Sequence, residues 1–221
     1  MNIAIDGPAG AGKSTIAKLV AKELGFLYVD TGAMYRSIAL YFIENNVSLD
    51  DEDAIDNACD NINIEIKYED GVQQVYLNGK NVSLEIRQEQ VGNMASKVAA
   101  KKAVRDKLLS LQRDIAADNN VIMDGRDIGT FVLPNAEIKI YLTASVKTRA
   151  KRRYDELVSK GESPDINKIE ADIEQRDYQD MNREIAPLKQ ADDAIFLDTS
   201  DMNIEQVVAY ICNLTKNKSG D

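Results

Sequence analysis

The sequence predicts an α/β protein in which a five-stranded parallel sheet lies between two layers of helices. Short apolar runs alternate with helical patterns along the chain, and a glycine-rich segment joins the first apolar run directly to the first helix. Strands that alternate with helices form parallel sheets covered on both faces. A stretch with period-two alternation breaks this order and predicts a small antiparallel insertion in the α/β core.

The strands and helices follow from these patterns in order. Five strands are predicted at residues 3–5, 26–29, 121–123, 138–142 and 194–197. Six helices are predicted at residues 13–24, 33–45, 99–117, 146–159, 166–181 and 204–214, and the tail at 216–221 is expected to fray. Most of the strands run into an Asp or a Thr, and ligands of parallel sheets bind beyond the carboxyl ends of the strands.

The inserted segment covers residues 62–83, where apolar and polar side chains alternate. The dipeptides Asp70-Gly71 and Asn78-Gly79 are typical of tight hairpin turns. Two roles remain open for this segment. It either decorates and stabilises the surface, or it forms a mobile flap that closes over a substrate.

Composition narrows the class of function. A chain of 221 residues with a formal net charge of −10 fits one domain whose main partner is neither nucleic acid nor an anionic membrane. Histidine is absent, which excludes His-ligated zinc and the Ser-His and Cys-His nucleophiles. Cys59 and Cys212 are far apart, and we see neither a signal-peptide pattern nor an apolar run near the ~20 residues that span a bilayer. These features predict a cytoplasmic protein with reduced thiols.

The most specific motif is Gly-Pro-Ala-Gly-Ala-Gly-Lys-Ser at residues 7–14, a complete G-x-x-x-x-G-K-[ST] loop between a strand and a helix. Backbone N–H groups of such a loop and the positive end of the next helix bind phosphate. Lys13 is expected to reach the β- and γ-phosphates of a nucleotide, and the Ser14 hydroxyl is expected to bind Mg²⁺. The alternative is a glycine-rich turn that only closes a strand–helix unit, and the match of all eight positions argues against it.

A second motif is the apolar run at 121–123, which ends in Asp124. A strand that ends in an acid is the pattern of the Walker B carboxylate, which holds Mg²⁺ directly or through water. Such strand ends are common, so this signal is weak alone. Arg126, which follows between Gly125 and Asp127, adds a fork of donors suited to phosphate.

Further charged residues cluster in three segments. Asp30 or Thr31 is expected to cap a helix that carries Arg36 about one turn inside. Arginines also occur at 149, 152 and 153, and the spacing of Arg176, Asp180 and Arg183 predicts that they share one helix face. Charged helix faces are often simply solvated. Several arginines around one anionic centre are, however, what stabilisation of a charged transition state requires.

Five segments of the chain resemble the bacterial cytidylate kinases, a group of nucleoside monophosphate kinases. In chain order these segments are GPAGAGKS, DTGAMYR, DGRDIGT, RAKRR and RDYQDMNR. The resemblance covers residues 3 to about 197. It implies one three-layer P-loop kinase domain over 1–221, with an inserted monophosphate-binding subdomain at 59–94 and a short helical lid at 148–164. The implied reaction is γ-phosphoryl transfer from MgATP to CMP or dCMP by a monomeric enzyme.

The resemblance also implies residue roles. ATP contacts fall on Gly7, Pro8, Ala9, Gly10, Ala11, Gly12, Lys13, Ser14, Thr15 and Arg149, and the metal ligands are Ser14 and Asp124. Catalytic charges fall on Lys13, Arg126, Arg153 and Arg183. The implied substrate contacts are Asp30, Thr31, Tyr35, Arg36, Ser96, Arg105, Arg126, Asp127, Arg176, Asp180 and Arg183.

Within the substrate set, the resemblance assigns the CMP phosphate to Arg36, Arg126 and Arg183, and the ribose to Arg176 and Asp180. Ser96, Arg105 and Asp127 correspond to the cytosine contacts. Base chemistry agrees, because cytosine presents an N4 amino donor beside acceptors, so an Asp acceptor next to an Arg donor fits it. Uracil has an acceptor at position 4 and would be repelled by Asp127.

Two other functions remain open from the sequence. One is a small P-loop kinase for shikimate or gluconate, although the chain length, the insert and the paired carboxylates favour a nucleotide substrate. The other is an ATP-dependent switch or sensor. The guanine-reading pattern Asn-Lys-x-Asp is absent, and the nearest string, at 167–170, ends in Glu170.

Overall fold

The structure is a computed structural model that describes residues 1–219. In chain order its elements are β1 Asn2–Asp6, α1 Lys13–Leu24, β2 Leu27–Asp30, α2 Thr31–Glu44, α3 Glu52–Asp60, β3 Ile64–Glu69, β4 Val72–Leu77, β5 Lys80–Asn81, α4 Glu89–Val98, α5 Lys102–Ala117, β6 Val121–Gly125, β7 Ile138–Thr143, α6 Val146–Ser159, α7 Ile166–Asn182, β8 Ile195–Asp198 and α8 Ile204–Ser219. A 3₁₀ turn covers Glu85–Arg87, and a π-helical turn covers Ile128–Val132. Within residues 1–219, no helix is both long and apolar enough to cross a membrane.

The central sheet has the strand order β2-β6-β1-β7-β8, and the pairs β1–β6, β1–β7 and β7–β8 are parallel. The predicted α/β fold with a five-stranded parallel sheet is therefore confirmed. β1 and β6 pair in a register that sets Asp6 opposite Gly125. Parallel pairing brings the carboxyl ends of these strands to one edge, where the loops after β1 and β6 begin.

The chain forms two compact units. The first unit contains residues 1–28 and the chain from Asn119 onward. Its core includes Ile3, Ile5, Ile16, Val20 and Ile140, all almost fully buried. α1 contributes the apolar residues of one face, because its buried positions recur at the helical spacing 16, 17, 20 and 21.

The second unit covers Val29–Asp118 and contains α2 to α5 with the small antiparallel sheet β3-β4-β5. Both predicted hairpin turns are present. Asp70 and Gly71 have φ values of 51° and 76°, and Asn78 and Gly79 have 48° and 81°. Positive φ at both central positions is the type I′ geometry that suits the twist of a two-residue hairpin. The predicted antiparallel insertion is therefore confirmed.

Two helices of the structure were not predicted, and several predicted helix ends differ from the observed ones, as at α2, which begins at Thr31 rather than at residue 33. α3 and α4 were not predicted, since α3 is short, with nine residues, and α4 carries Gly92 inside it. α5 begins at Lys102 rather than at residue 99, after a turn. The tail was predicted to fray from residue 216, but α8 continues to Ser219, so this prediction is wrong for residues 216–219. The last two residues of the predicted tail lie outside the described residues.

Candidate active site

The phosphate loop connects β1 to α1 in the first unit. Gly7 approaches β7 so closely that a Cβ atom there would lie 1.9 Å from the Leu142 carbonyl oxygen. Gly10 and Gly12 have φ values of 73° and 88°, which favour glycine. Gly12 is the N-cap of α1 and has no side-chain oxygen to cap the helix. The first N–H groups of α1 are therefore available to an anion, as the motif predicts.

Lys13 is the first residue of α1, and its ammonium donates to the Pro8 carbonyl of the same loop at 2.8 Å. Burial, and then the positive charge of Arg126, lower the pKa of Lys13 well below its usual value. The carboxylates of Asp124, Asp180 and Asp6 act in the opposite direction. A bound polyphosphate would favour the charged form of this lysine.

Ser14 and Asp124, the two residues expected to bind Mg²⁺, lie together. The Ser14 hydroxyl donates to Asp124 Oδ2 at 2.8 Å, and the Tyr28 hydroxyl donates to Asp124 Oδ1 at 2.8 Å. Among residues 1–219, no three or more Cys, Asp or Glu side chains group as metal ligands. The pair nevertheless fits Mg²⁺, because this ion commonly takes one or two carboxylates and obtains its other ligands from water and substrate phosphates.

Two ion pairs join the turn after β6 to the end of α7. Arg126 Nε lies 2.7 Å from Asp180 Oδ2, and Arg183 Nη2 lies 3.3 Å from Asp127 Oδ1. Burial alone would raise the pKa of Asp180, but the charge and hydrogen bond of Arg126 outweigh it and hold that pKa below its usual value. The pKa of Arg126 is raised, because the same pair outweighs the effect of its burial.

The predicted single helix face for Arg176, Asp180 and Arg183 is wrong in one respect. α7 ends at Asn182, and Arg183 follows it in an extended conformation with φ −68° and ψ 144°. Arg183 Nε donates to the Ala186 carbonyl at 2.6 Å. This contact directs the guanidinium toward Asp127. Arg183 therefore reaches Asp127 through a local turn after α7 and not through helical spacing.

The arginines of α6 differ from one another. Arg149 is buried, and it donates to the Ala9 carbonyl at 2.8 Å and to Asp177 Oδ2 at 2.6 Å. It thereby ties the phosphate loop to α7. Arg152 donates to the Thr199 carbonyl at 2.8 Å. Arg153 is half-exposed and pairs with Glu156 at 2.9 Å. The contacts of Arg149 and Arg153 with a nucleotide stay predictions.

In the second unit, Asp30 caps α2, since its Oδ1 accepts from the Ala33 N–H at 2.9 Å. Its Oδ2 pairs with Arg87 Nη2 at 3.0 Å. Gln73 of β4 accepts the Asp30 N–H at 2.9 Å. The hairpin insert and the start of α2 are therefore joined through one aspartate. Thr31, the next predicted contact residue, is buried in the first turn of α2.

Arg36 of α2 rests against α4. Its Nη1 donates to the Ile86 carbonyl at 3.0 Å, and a Cβ atom at Gly92 would lie 2.9 Å from that same nitrogen. Ser96 follows Gly92 by four residues on α4, so both occupy one helix face. The absence of a side chain at Gly92 thus gives the Arg36 guanidinium its position.

Arg105 of α5 is almost fully buried and donates to the Ala99 carbonyl at 3.3 Å. Its guanidinium carbon lies 5.8 Å from the centroid of the Tyr35 ring, within the range of a cation–π contact. Ala99 follows Ser96 by three residues, so the turn between α4 and α5 brings the predicted base contacts of this unit into one neighbourhood.

The sequence profile of the cytidylate kinase family matches residues 3–217. The chain belongs to the cytidylate kinase family. It is therefore a nucleoside monophosphate kinase, as the resemblance of its five segments implied.

Relatives within the cytidylate kinase family match over nearly the full chain. A protein of Lactobacillus johnsonii named cytidylate kinase is 54% identical over 218 residues, which cover 99% of this chain and 95% of the relative. The cytidylate kinase of Caldicellulosiruptor saccharolyticus is 50% identical, with 97% and 95% covered. The cytidylate kinase of a Geobacillus species is 48% identical over 220 residues, with 100% and 98% covered.

Solved structures agree on the fold alone. A shikimate kinase from Bacteroides thetaiotaomicron aligns over 98% of both chains with a TM-score of 0.50 and 15% identity. An uncharacterized protein from Eubacterium ventriosum aligns over 98% of both chains with a TM-score of 0.54 and 11% identity. Such low identity does not distinguish among substrates, so the family assignment rests on the sequence relatives.

Several residues of the site escaped sequence reasoning. Tyr28 looks like any other residue of a strand, and Asp177 looks like any other acid of a charged helix. Neither residue therefore carried a sequence signal for a role in the site. Gly92 did give one, because a lone glycine within a helical pattern often marks a close approach. Its neighbour Arg36 lies far away in sequence, so the contact itself could not be read from the pattern.

Proposed function

We propose that this chain transfers the γ-phosphoryl group of ATP to CMP or dCMP, which yields ADP and CDP or dCDP. The observation that carries the proposal is the buried Asp127–Arg183 pair in a member of the cytidylate kinase family. A buried carboxylate held by an arginine is a suitable acceptor for the amino group of cytosine.

Phosphoryl transfer needs alignment and charge stabilisation more than a covalent nucleophile. A phosphate oxygen of CMP attacks the γ-phosphorus, and the bond from that phosphorus to the bridging oxygen of ADP breaks. Lys13, which lies inside the phosphate loop, neutralises charge on the transferring group. Arg126, Arg183 and Arg153 are the further cations proposed to stabilise it.

The phosphate loop, residues 7–15, is proposed to hold the ATP phosphates, with Arg149 as a further contact on α6. Ser14 and Asp124 would hold Mg²⁺, which would neutralise charge on the ATP phosphates. The hydrogen bond between these two side chains supports this role, because it orients the carboxylate toward the helix start that receives the phosphates.

The acceptor ligands are proposed residue by residue within each unit. In the first unit, Arg126 and Arg183 bind the CMP phosphate, Arg176 and Asp180 the ribose hydroxyls, and Asp127 the cytosine. In the second unit, Arg36 binds the phosphate and Asp30, Thr31, Tyr35, Ser96 and Arg105 complete the nucleoside contacts. The cation–π contact of Arg105 supports the last set, since it directs the guanidinium.

The proposed setting is a monomer in the cytoplasm that binds small nucleotides and no nucleic acid. The net charge of −10 supports the absence of nucleic acid among the partners, because an acidic surface repels polyanions. Light scattering during gel filtration tests the oligomeric state. A dimer at micromolar concentration would contradict that part of the proposal.

The activity is tested by measuring ADP release with ATP and a panel of CMP, dCMP, UMP, AMP, shikimate and gluconate. We expect CMP and dCMP to give the highest kcat/KM, with CDP and dCDP identified by chromatography. Higher turnover with AMP, shikimate or gluconate would overturn the proposal. Lys13→Ala protein purified identically controls for contaminating kinases.

A second measurement separates the kinase from an ATP-dependent switch. Without a monophosphate, we expect negligible ATP hydrolysis, since water must be kept from the γ-phosphoryl group. With CMP and an unreactive ATP analogue both bound, amide hydrogen exchange should slow at residues 62–83 and 149–161. Rapid hydrolysis of ATP alone, with equal protection throughout, would favour the switch.

A further inference from the structure

Tyr28 is a buried tyrosine beside the proposed metal ligands, and none of the roles above uses it. It lies on β2, and only 9% of its surface is exposed. Its hydroxyl donates to Asp124 Oδ1 at 2.8 Å, while the Ser14 hydroxyl donates to Asp124 Oδ2 at 2.8 Å. The Asp124 carboxylate is therefore held at both of its oxygens, by donors from β2 and α1.

The ring that carries the Tyr28 hydroxyl is fixed by its surroundings. It belongs to the buried core of the first unit, together with Ala17 and Ile122. The Lys18 ammonium lies 5.5 Å from the ring centroid, within the range of a cation–π contact. Because side chains in a close-packed core keep one rotamer, the hydroxyl has a fixed position from which to donate.

The orientation of the Asp124 carboxylate depends on such donors. The last torsion of an aspartate side chain has broad, roughly twofold minima, so packing alone directs its oxygens poorly. The Tyr28 bond at Oδ1 restricts this torsion and directs Oδ2 toward Ser14. Carboxylates that bind metals are commonly oriented in this way by hydrogen-bonded partners outside the set of ligands.

The alternative is that the hydroxyl only stabilises the fold. Only 5% of the surface of Asp124 is exposed, and a buried carboxylate needs hydrogen bonds whether or not a metal is bound. The two roles differ in when they act. A stabilising bond affects the folded protein in all conditions, whereas a bond that orients a metal ligand affects nucleotide binding only when the metal is present.

We propose that Tyr28 is a positioning residue for Mg²⁺ binding, because its hydroxyl orients the Asp124 carboxylate toward Ser14. This inference rests on the proposed function, in which these two side chains hold the ion at the ATP phosphates. It gives Tyr28 a role that is exerted through Asp124 and assigns it no contact with the nucleotide.

The decisive variant is Tyr28→Phe, which removes one oxygen atom and keeps the ring in the core. Calorimetry measures the Kd of an unreactive ATP analogue in excess Mg²⁺ and in EDTA. We expect Mg²⁺ to tighten binding to the wild type. In Tyr28→Phe the Kd in Mg²⁺ should rise about tenfold, since loss of a hydrogen-bonded partner of a metal ligand costs about 10- to 100-fold. The Kd in EDTA should change less than about twofold.

Three further variants complete the measurement. Ser14→Ala removes a proposed ligand and should lose at least as much of the Mg²⁺ effect as Tyr28→Phe. Tyr210→Phe, a more exposed tyrosine on α8 of the same unit, is the matched control and should bind the analogue like the wild type in both conditions. Tyr28→Leu also lacks the hydroxyl and should show the same loss, which keeps the inference testable if Tyr28→Phe fails to fold.

A purely structural role would lower the melting temperature of the Tyr28 variants and leave the effect of Mg²⁺ on the Kd intact, and that result would overturn the inference. A reduced Mg²⁺ effect supports it at any melting temperature. An equal Kd in Mg²⁺ and in EDTA for the wild type would refute the proposed metal site, and the inference with it. The wild type therefore distinguishes failure of the proposed function from failure of the role of Tyr28.

Discussion

The two units hold their functional arginines by different means. In the first unit, Arg126 pairs with the carboxylate of Asp180 and Arg149 with that of Asp177, and Arg149 also donates to a backbone carbonyl. In the second unit, Arg36 and Arg105 donate to backbone carbonyls, and Arg36 lies against a glycine. Removal of one partner in the first unit leaves a buried charge uncompensated, which costs stability. In the second unit, a change of side chain can move an arginine without that cost.

This difference predicts that stability and activity change together at the Arg126–Asp180 pair and separately at the contact of Arg36 with Gly92. A buried ion pair both holds the fold and directs its members. A carbonyl belongs to the backbone and is present whatever side chains surround it, so the direction of the arginine depends on the space left for it. The following substitutions test that distinction, in order of decreasing effect.

Lys13→Ala should have the largest effect on activity. It removes the cation inside the phosphate loop, and loss of one preorganised charge-stabilising donor lowers kcat by about 100- to 1000-fold. The coupled assay with ATP and CMP measures it. Lys22→Ala, on the exposed side of the same helix, is the control and should keep full activity. Turnover of Lys13→Ala within tenfold of the wild type would contradict the assignment.

Asp180→Asn should lower stability and activity together. The change leaves the charge of Arg126 uncompensated in a buried site, and we expect a loss of about 3 kcal/mol in the free energy of unfolding. The folded-state pKa of Asp180 lies below its unfolded value, so its contribution is present above the unfolded pKa and is lost as the pH falls through the folded pKa. Urea titrations of the variant and the wild type at neutral pH measure the difference.

Asp172→Asn, on the exposed side of α7, is the matched control for Asp180→Asn and should change the free energy of unfolding by less than about 0.5 kcal/mol. If Asp180→Asn is as stable as this control, the first unit does not depend on its ion pairs, and the contrast between the units fails.

The sequence predicted the first unit better than the second. The phosphate loop, Asp124 and the strand ends follow from contiguous residues, so local patterns sufficed to predict the sheet and to single out Ser14 and Asp124. α4 could not be predicted as easily, because Gly92 weakens its helical pattern, and the reason for that glycine is a contact with Arg36 of α2. The contacts of Asp6 were equally hard to predict. Its carboxylate accepts the N–H groups of Ile128 and Gly129, which follow β6 and are backbone groups without any sequence signature.

Asp127→Asn tests specificity, and it also lowers stability because its partner Arg183 is buried. An amide can donate to O4 of uracil, so the kcat/KM for CMP should fall about tenfold or more, the value of one hydrogen bond to a charged group, and the gap to UMP should narrow. Parallel assays with CMP and UMP measure the ratio. Asp192→Asn, an exposed carboxylate of the same unit, should leave it unchanged. An unaltered ratio in Asp127→Asn would count against the role of this residue in base selection.

Gly92→Ala is the sharpest test of the second unit. The new methyl group would lie 2.9 Å from Arg36 Nη1, and the end of a long side chain can move aside at little cost. Alanine in place of a helical glycine also stabilises a helix by about 0.5–1 kcal/mol. We therefore expect an equal or higher melting temperature together with a KM for CMP raised about tenfold, because Arg36 loses its position. Asn93→Ala, the exposed neighbour, should leave the KM unchanged. A lower melting temperature with an unchanged KM would mean that Gly92 serves packing alone, and that arginines in both units are held by the same kind of constraint.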